Sequence, residues 1–389
     1  MSSQQYSGKA IVSHGPHKQG KWRIEDITLR PIAETELVIE VIASGICHTD
    51  IHFGDQEAGN VGVFYPRVLG HEGAGYVKAV GSKVTVAQPG DPVLLSFASC
   101  SKCHSCNTGH PAYCTDFNGL NFFGGNDFVL SSSVSSDASD VKHDIGGRFF
   151  GQSSFANVTI ASERSVVNVK GLIKDKEELK LFAPLGCGIQ TGSGTIATVA
   201  GATEEDAVAV LGLGGVGLSA IMAAKLLNCK IIIGIDRVDG RLELAKSLGA
   251  THTINSSTLP SGKSLGDAVR EASDGIGPSI SMDTTGVVAL TRQAVEFTRN
   301  QGKIIQVGTA PIEATLDIPL FTFMITGKRF MGAIEGDSQP TKFVPQMIKW
   351  YQEGRLPVDK LVKYFKAEDF AKAIEEMHTG ETVKPIIVW

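Results

Sequence analysis

Residues 207–227, AVAVLGLGGVGLSAIMAAKLL, pass from a short apolar run through a cluster of glycines into an apolar stretch at helical spacing. A second apolar run, KIIIGID, follows at once. A buried strand, a tight turn, a helix and a second strand satisfy that order, and few other local structures do. Gly212, Gly214 and Gly217 match a G-x-G-x-x-G turn, with Gly215 and Val216 inside the same loop. Glycines there let the backbone approach a pyrophosphate lying on the helix N-terminus. Asp236 closes the second strand nineteen residues past Gly217, where a carboxylate can accept the adenosine ribose hydroxyls. A 2′-phosphate would meet that carboxylate as a like charge, so NAD is expected over NADP, although the adjacent Arg237 leaves NADP open. Ala207 to Ala224 carries no charge and is near the length of a membrane span, but glycines at its centre favour strand and helix.

The alternation continues: RLELAKSLGA reads as a helix ending at Gly249, and SISMDTTG and KIIQVGT as buried strands. Strands alternating with helices make a doubly wound parallel sheet, so the chain is α/β. Before about Leu185 the pattern differs. ELVIEVIAS (36–44) alternates like a half-buried strand, GAGYVKAVG and DPVLLSF follow, and Gly and Pro turns break them. Ser131 to Asp140 is a polar loop, expected to be mobile. After about Glu335, TKFVPQMIKWYQEG and AEDFAKAIEEMHTG read as amphipathic helices, and VKPIIVW as a last strand. The 389 residues exceed one ordinary core, so two domains are expected.

A net charge of −5, without a lysine or arginine block, argues against nucleic acid and membrane surfaces as partners. MSSQQYSGKAIVS has no basic segment followed by an apolar one, and seven cysteines is an odd count; a reducing, cytoplasmic setting is expected.

Four of those cysteines, Cys100, Cys103, Cys106 and Cys114, fall within CSKCHSCNTGHPAYC. Clustered thiols in a reducing compartment point to metal. The last gap of seven residues, with Thr115 rather than proline after Cys114, departs from a ferredoxin run. Four thiolates around zinc, with no open position, describe a structural site. GICHTDIH (45–52), GHEGAG (70–75) and PLGCGIQTG (184–192) supply a different set. Cys47, His71 and Cys187 would make a Cys2His site with a vacant fourth position, the ligation of a catalytic zinc. Spacing alone does not join three residues so far apart, and each has a plain alternative as a packed thiol or a satisfied histidine.

These five motifs, in this order and over nearly the whole length, resemble the zinc-dependent medium-chain alcohol dehydrogenases, most nearly their aryl- or benzyl-alcohol dehydrogenase-like branch. The resemblance implies a GroES-like β-rich catalytic domain at 1–188 and 336–389, and a Rossmann NAD-binding domain at 189–335. It implies two zinc ions per subunit: a catalytic one on Cys47, His71 and Cys187, and a structural one on the four clustered cysteines. Asp50 and Glu72 match carboxylates beside the catalytic site, Thr49 the hydroxyl that meets the substrate oxygen, and His52 the end of a proton relay. His48 and Lys384 match pyrophosphate contacts, and Arg241 a basic residue beside the adenosine ribose. Thr191 and Val216 fall on the nicotinamide side, and Val307 is counted among the cofactor-binding residues. Ser96, Phe149, Phe150 and Ile334 fall where the family lines its substrate pocket, although relatives often carry an aromatic at the position of Ser96. Glu335 is also less apolar than the family's usual residue.

The activity implied is hydride transfer between an alcohol and the nicotinamide, with zinc acidifying the hydroxyl, and the substrate a primary aromatic or medium-chain alcohol. Alternatives are a reductase or tailoring enzyme for a specialised metabolite, a glutathione-dependent formaldehyde dehydrogenase and an inactive nucleotide-binding relative. The formaldehyde enzyme would need an arginine past the cysteine loop, where this chain reads TDFNGLNFF. An apolar segment, DIPLFTFMITGKRFMGAI, reads as a strand and lies where relatives pair their subunits, so a homodimer is expected, with a tetramer the alternative.

Overall fold

A computed structural model describes residues 5–60, 63–131 and 144–389. Apart from Ser131 itself, the polar run to Asp140 lies outside the described residues. The chain divides into two units. One comprises residues 1–187, 339–349 and 359–389, the other 188–338 and 350–358.

The first unit is β-rich. Strands Ser7–Ser13, Trp22–Leu29, Gly125–Leu130, Ile145–Gly147 and Arg67–Val68 close a barrel in that order. A seven-stranded sheet runs through Val166–Asn168, Pro92–Leu95, Glu72–Val80, Glu36–Gly45, Lys384–Val388 and Val362–Lys366, with Val158–Ser162 also on Glu36–Gly45. Three strands pair with Glu36–Gly45. Its alternating sequence predicts one solvated face, yet every residue but Glu40 is buried. The polar positions are satisfied internally. Glu36 accepts from Arg30 at 2.8 and 2.9 Å, and the Ser44 and Ser154 hydroxyls lie 2.7 Å apart. A buried polar group is tolerated when it is paired in this way.

The second unit carries six parallel strands, ordered His252–Asn255, Ile231–Asp236, Ala207–Leu211, Ile280–Asp283, Lys303–Gln306 and Arg329–Gly332. By position in the chain that is 3-2-1-4-5-6, the doubly wound order that sets a binding crevice where the first and fourth strands diverge. AVAVL and IIIGID are buried at every position, as a sheet covered on both faces requires. Each such valine or isoleucine contributes ~1.5–3 kcal/mol relative to exposure. The uncharged run beginning at Ala207 is thus a five-residue strand, a turn and the twelve-residue helix Gly215–Leu226. Among the described residues, no helix is long and apolar enough to cross a membrane.

One expectation fails locally. Of DIPLFTFMITGKRFMGAI only Arg329–Gly332 is a strand; Leu320–Thr326 is a helix, opened by Pro319 and stopped by Gly327 in the left-handed conformation. Proline ahead of the first helical residue and glycine just past the last fit helix ends rather than a continuous strand.

Candidate active site

Antiparallel pairing sets the core of the site. Gly45, the last residue of its strand, stands opposite Glu72, the first of the next. Cys47 lies two residues beyond one strand and His71 one residue before the other, so both emerge at the same edge. Cys187 follows the turn Ala183–Gly186. The ligand atoms of Cys47, His71, Glu72 and Cys187 all lie within 4.8 Å of one another.

Asp50 orients this group. Its Oδ1 lies 2.8 Å from His71 Nδ1 and accepts from Gly70 N at 3.1 Å, while Oδ2 accepts from Cys47 N at 2.9 Å. A proton held on Nδ1 leaves the Nε2 lone pair facing the sulfurs. Nε2 is buried and lacks a hydrogen-bond partner of acceptable geometry. The Cys187 thiol holds Cys47 well below the usual thiol range, and Lys384 and His71 add to this against the opposing effect of burial. Burial depresses His71, but the Asp50 carboxylate and then the Cys47 sulfur outweigh it and raise the imidazole well above its usual value. An orphaned imidazole nitrogen in a field that favours added positive charge, beside soft sulfurs, suits zinc.

Glu72 is fully buried and raised by desolvation; Lys384 Nζ sits 2.8 and 3.0 Å from its oxygens and 3.3 Å from Ile46 O. Lys384, expected at a pyrophosphate, is thus paired with Glu72. The pairing of Ile386 with Gly45 brings the last strand beside Glu72, and a buried carboxylate requires its counter-charge there. Gly45 admits the Glu72 side chain, since a Cβ would stand 2.0 Å from Oε2.

Helix His48–Gly54 carries the remaining polar groups. Thr49 Oγ1 is 3.7 Å from Cys47 Sγ, His48 is exposed, and His52 is half-buried with its ring edge-on to Phe53 at 5.6 Å. Phe150 stacks on His71 with centroids 4.4 Å apart and planes at 24°, and Phe149 meets the same ring edge-on at 5.6 Å. Phe149 and Ser96 have no exposed surface. Both are corrections to a pocket-lining role: Ser96 gives its hydroxyl to Gly186 O at 2.6 Å, and Phe149 packs beneath the imidazole. Ile334 is half-buried and precedes the turn Glu335–Asp337. Glu335 accepts from Gln190 Nε2 at 2.9 Å, which accounts for a carboxylate at an otherwise apolar position.

The four-cysteine loop closes on itself. Its sulfurs lie within 4.8 Å of one another, and all seven cysteines are free of disulfides. Backbone N–H groups of Cys100 and Cys103 donate to the sulfurs of Cys114 and Cys100 at 3.2 and 3.3 Å. Amides of Cys106 and Thr115 lower the Cys103 thiol to about 6, which favours the thiolate that zinc binds. Cys229, buried elsewhere, is pushed up to about 11 by desolvation and is inert packing.

In the second unit Gly212 has φ +88°, and a Cβ there would meet Thr284 Oγ1 at 2.6 Å. A Cβ on Gly217 would stand 1.8 Å from Gly212 O, so the helix lies directly on the turn, whereas the Cβ position of Gly214 faces open space. That is the cradle a phosphate needs. Gly215 and Val216 begin the helix. Asp236 Oδ2 accepts from Leu213 N at 2.7 Å, and Oδ1 from the amides of Arg237 and Val238. Arg241 Nη1 is 3.9 Å from Asp236 Oδ2, Arg237 is exposed, Thr191 is buried, and Val307 is half-buried just past the fifth strand.

Comparison with known proteins agrees with both halves. Residues 33–171 match the alcohol dehydrogenase GroES-like domain family, and residues 215–353 the zinc-binding dehydrogenase family. The chain belongs to the zinc-dependent medium-chain alcohol dehydrogenases. It is 34% identical to the geraniol dehydrogenase of Castellaniella defragrans over 95% of each chain. Among solved structures it is similar to the benzyl alcohol dehydrogenase of Acinetobacter calcoaceticus, with a TM-score of 0.87 and 36% identity over 98% of this chain and 99% of the other. A Burkholderia ambifaria alcohol dehydrogenase zinc-binding domain protein gives a TM-score of 0.90 at 34% identity, over 99% of each chain.

This zinc alcohol dehydrogenase acts on small-molecule alcohols and aldehydes, with zinc and NAD as its cofactors. Bound zinc supplies Lewis acidity, which acidifies a hydroxyl in one direction and polarises a carbonyl in the other. In the chain itself the Asp50 carboxylate faces His71 Nδ1, Cys187 and Lys384 lower the Cys47 thiol, and Lys384 pairs with Glu72. Two groups escaped the sequence reading. Asp283, buried at the end of the fourth strand, accepts from Thr285, Gly286, Thr291 and Gln306 and so holds the turn beside Gly212. Arg67 is lowered to about 10 by burial, with Nη2 on Phe122 O and Cζ 5.1 Å from the Phe149 ring. An acid closing an apolar strand, as in SISMDTTG, was the available signal for the first; Arg67 had none.

Proposed function

We propose that the enzyme oxidises primary alcohols with an aromatic or medium-chain apolar body, using NAD, and reduces the matching aldehydes. The observation that carries this is the aromatic surround of His71: Phe150 stacks on it, half-buried Phe122 lies 5.6 Å from Phe150, and Phe149 and Phe53 pack behind them. Such a wall favours an apolar substrate body and offers a polar one no partners. The relatives named geraniol and benzyl alcohol dehydrogenase also carry names of alcohols with apolar bodies. Cys47, His71 and Cys187 hold the catalytic metal in this reading, and the four clustered cysteines the structural one. Thr49 and His52, one helical turn apart, carry the hydroxyl proton away. Gly212, Gly214 and Gly217 take the pyrophosphate, while Asp236, with Arg241 beside it, takes the ribose and disfavours a 2′-phosphate.

A panel of primary aryl, primary aliphatic and secondary alcohols, with formaldehyde plus glutathione, tests the reading through formation of the reduced cofactor from NAD and NADP. Primary aryl or medium-chain alcohols should give the highest kcat/KM, with NAD at least about tenfold better than NADP, the scale of one charged hydrogen bond. A requirement for glutathione, a preference for secondary alcohols, or silence across the panel would refute it.

The protein works as a homodimer. Helix Leu320–Thr326 exposes Leu320, Phe321, Met324 and Ile325, Leu320 by 81%, beside the edge strand Arg329–Gly332. An apolar patch next to an open edge suits a second copy. Sedimentation should give twice the 41.2 kDa chain mass, and a monomer at micromolar concentration would exclude this. Seven disulfide-free cysteines support a cytoplasmic location.

A further inference from the structure

Gln152 follows the paired phenylalanines in GRFFGQSSFA and has no exposed surface. Its amide spans two segments of chain. Oε1 accepts from Gly73 N at 3.1 Å, while Nε2 donates to His71 O at 2.9 Å and to Ser96 O at 3.1 Å. An acceptor facing an N–H and a donor facing two carbonyls leave the amide one sensible orientation.

Ser96 extends the connection. Its hydroxyl donates to Gly186 O at 2.6 Å, and Gly186 immediately precedes Cys187. The turn reaches that depth only because Gly186 lacks a Cβ, which would stand 1.9 Å from Leu95 O. One bonded chain therefore runs from the backbone around His71, through Gln152 and Ser96, to the turn that delivers Cys187. The far side of Gln152 is anchored as well: its N–H donates to Phe149 O at 3.2 Å, and Thr159 Oγ1 donates to its carbonyl. Arg148, Phe150 and Ser153 around it all take positive φ, 55°, 53° and 59°, a backbone that persists only where its surroundings over-determine it. Arg148 is held by Asp127 and Glu36 at 2.9 and 3.2 Å, and Ser153 donates to Val68 O at 2.7 Å.

We infer that Gln152, acting through Ser96, is a positioning residue that fixes His71 relative to Cys187 and thereby governs how tightly the catalytic zinc is retained. Ser96 cannot be aromatic in this arrangement, because its hydroxyl is the link to Gly186. Both side chains are fully buried.

The test uses the two-zinc enzyme and its Gln152→Met and Ser96→Ala variants, with zinc release to an excess of chromogenic chelator followed by absorbance. The phase belonging to the catalytic ion is the one missing from Cys187→Ala. That phase should accelerate at least roughly tenfold in each variant, the scale of losing a group that orients a metal ligand. The other phase should be unchanged, and the double variant should be no faster than the faster single one, since both cut the same chain. A folded variant releasing zinc at the parent rate, equal acceleration of both phases, or effects that multiply in the double variant would each overturn the inference. Should Gln152→Met fail to fold, Ser96→Ala, a loss of one oxygen, decides alone. Metal release is the readout, so the result does not depend on which alcohol is the substrate.

Discussion

Cys187→Ala will reduce turnover by at least about a thousandfold and lower the zinc content from two ions per subunit to one, as measured by elemental analysis beside the steady-state rate. The magnitude follows from what a catalytic metal supplies. Lewis-acid stabilisation of developing charge is worth several kcal/mol, and each ~1.4 kcal/mol is a factor of ten. With Cys187 gone, the cluster keeps Cys47, His71 and Glu72, but Glu72 is already committed to Lys384 at 2.8 Å. Two ligands and a shared carboxylate do not hold the ion. The fold should survive, because the removed sulfur ends a turn already tied down by Ser96 through Gly186 O. A variant that keeps substantial turnover, or keeps both ions, would remove Cys187 from the metal site.

Asp50→Asn comes next in size, at about 10–100-fold in activity or catalytic-zinc affinity, the usual effect of removing a group that orients a metal ligand. Asp50 faces three donors: His71 Nδ1, Gly70 N and Cys47 N. A carboxylate accepts from all three, whereas an amide turned to accept from His71 presents its NH2 to the Cys47 amide. One buried N–H is then unsatisfied, at ~1–3 kcal/mol. The neutral side chain also withdraws the charge that steadies the imidazole. Zinc at the four-cysteine loop should remain, because none of its ligands contacts Asp50. Wild-type zinc content together with wild-type kcat in Asp50→Asn would reduce Asp50 to a capping residue for helix His48–Gly54.

The parallel-sheet unit was legible because its signals are local. A buried strand, a glycine turn and a helix occupy adjacent residues, so the pattern from Ala207 to Asp236 reads directly into the observed order. The cysteine loop was legible for the same reason, since four sulfurs within fifteen residues can meet without help from the rest of the chain. Strand Glu36–Gly45 misled because alternation reports polarity, and the structure satisfies those polar groups inside. LFTFMIT misled because an apolar run without clear period is ambiguous between strand and helix, and Pro319 and Gly327 decided it.

Taken by itself, the sequence determined the elements whose ligands or periodicity are local: the nucleotide turn and the cysteine loop, whose four sulfurs fall within fifteen residues. The tertiary structure alone decided that Gly45 stands opposite Glu72, that Lys384 is drawn to that carboxylate, and that Ser96 reaches the turn before Cys187. Those contacts depend on strand register and on burial, which makes an unpaired polar group costly. Neither quantity is written in the neighbours of any one residue.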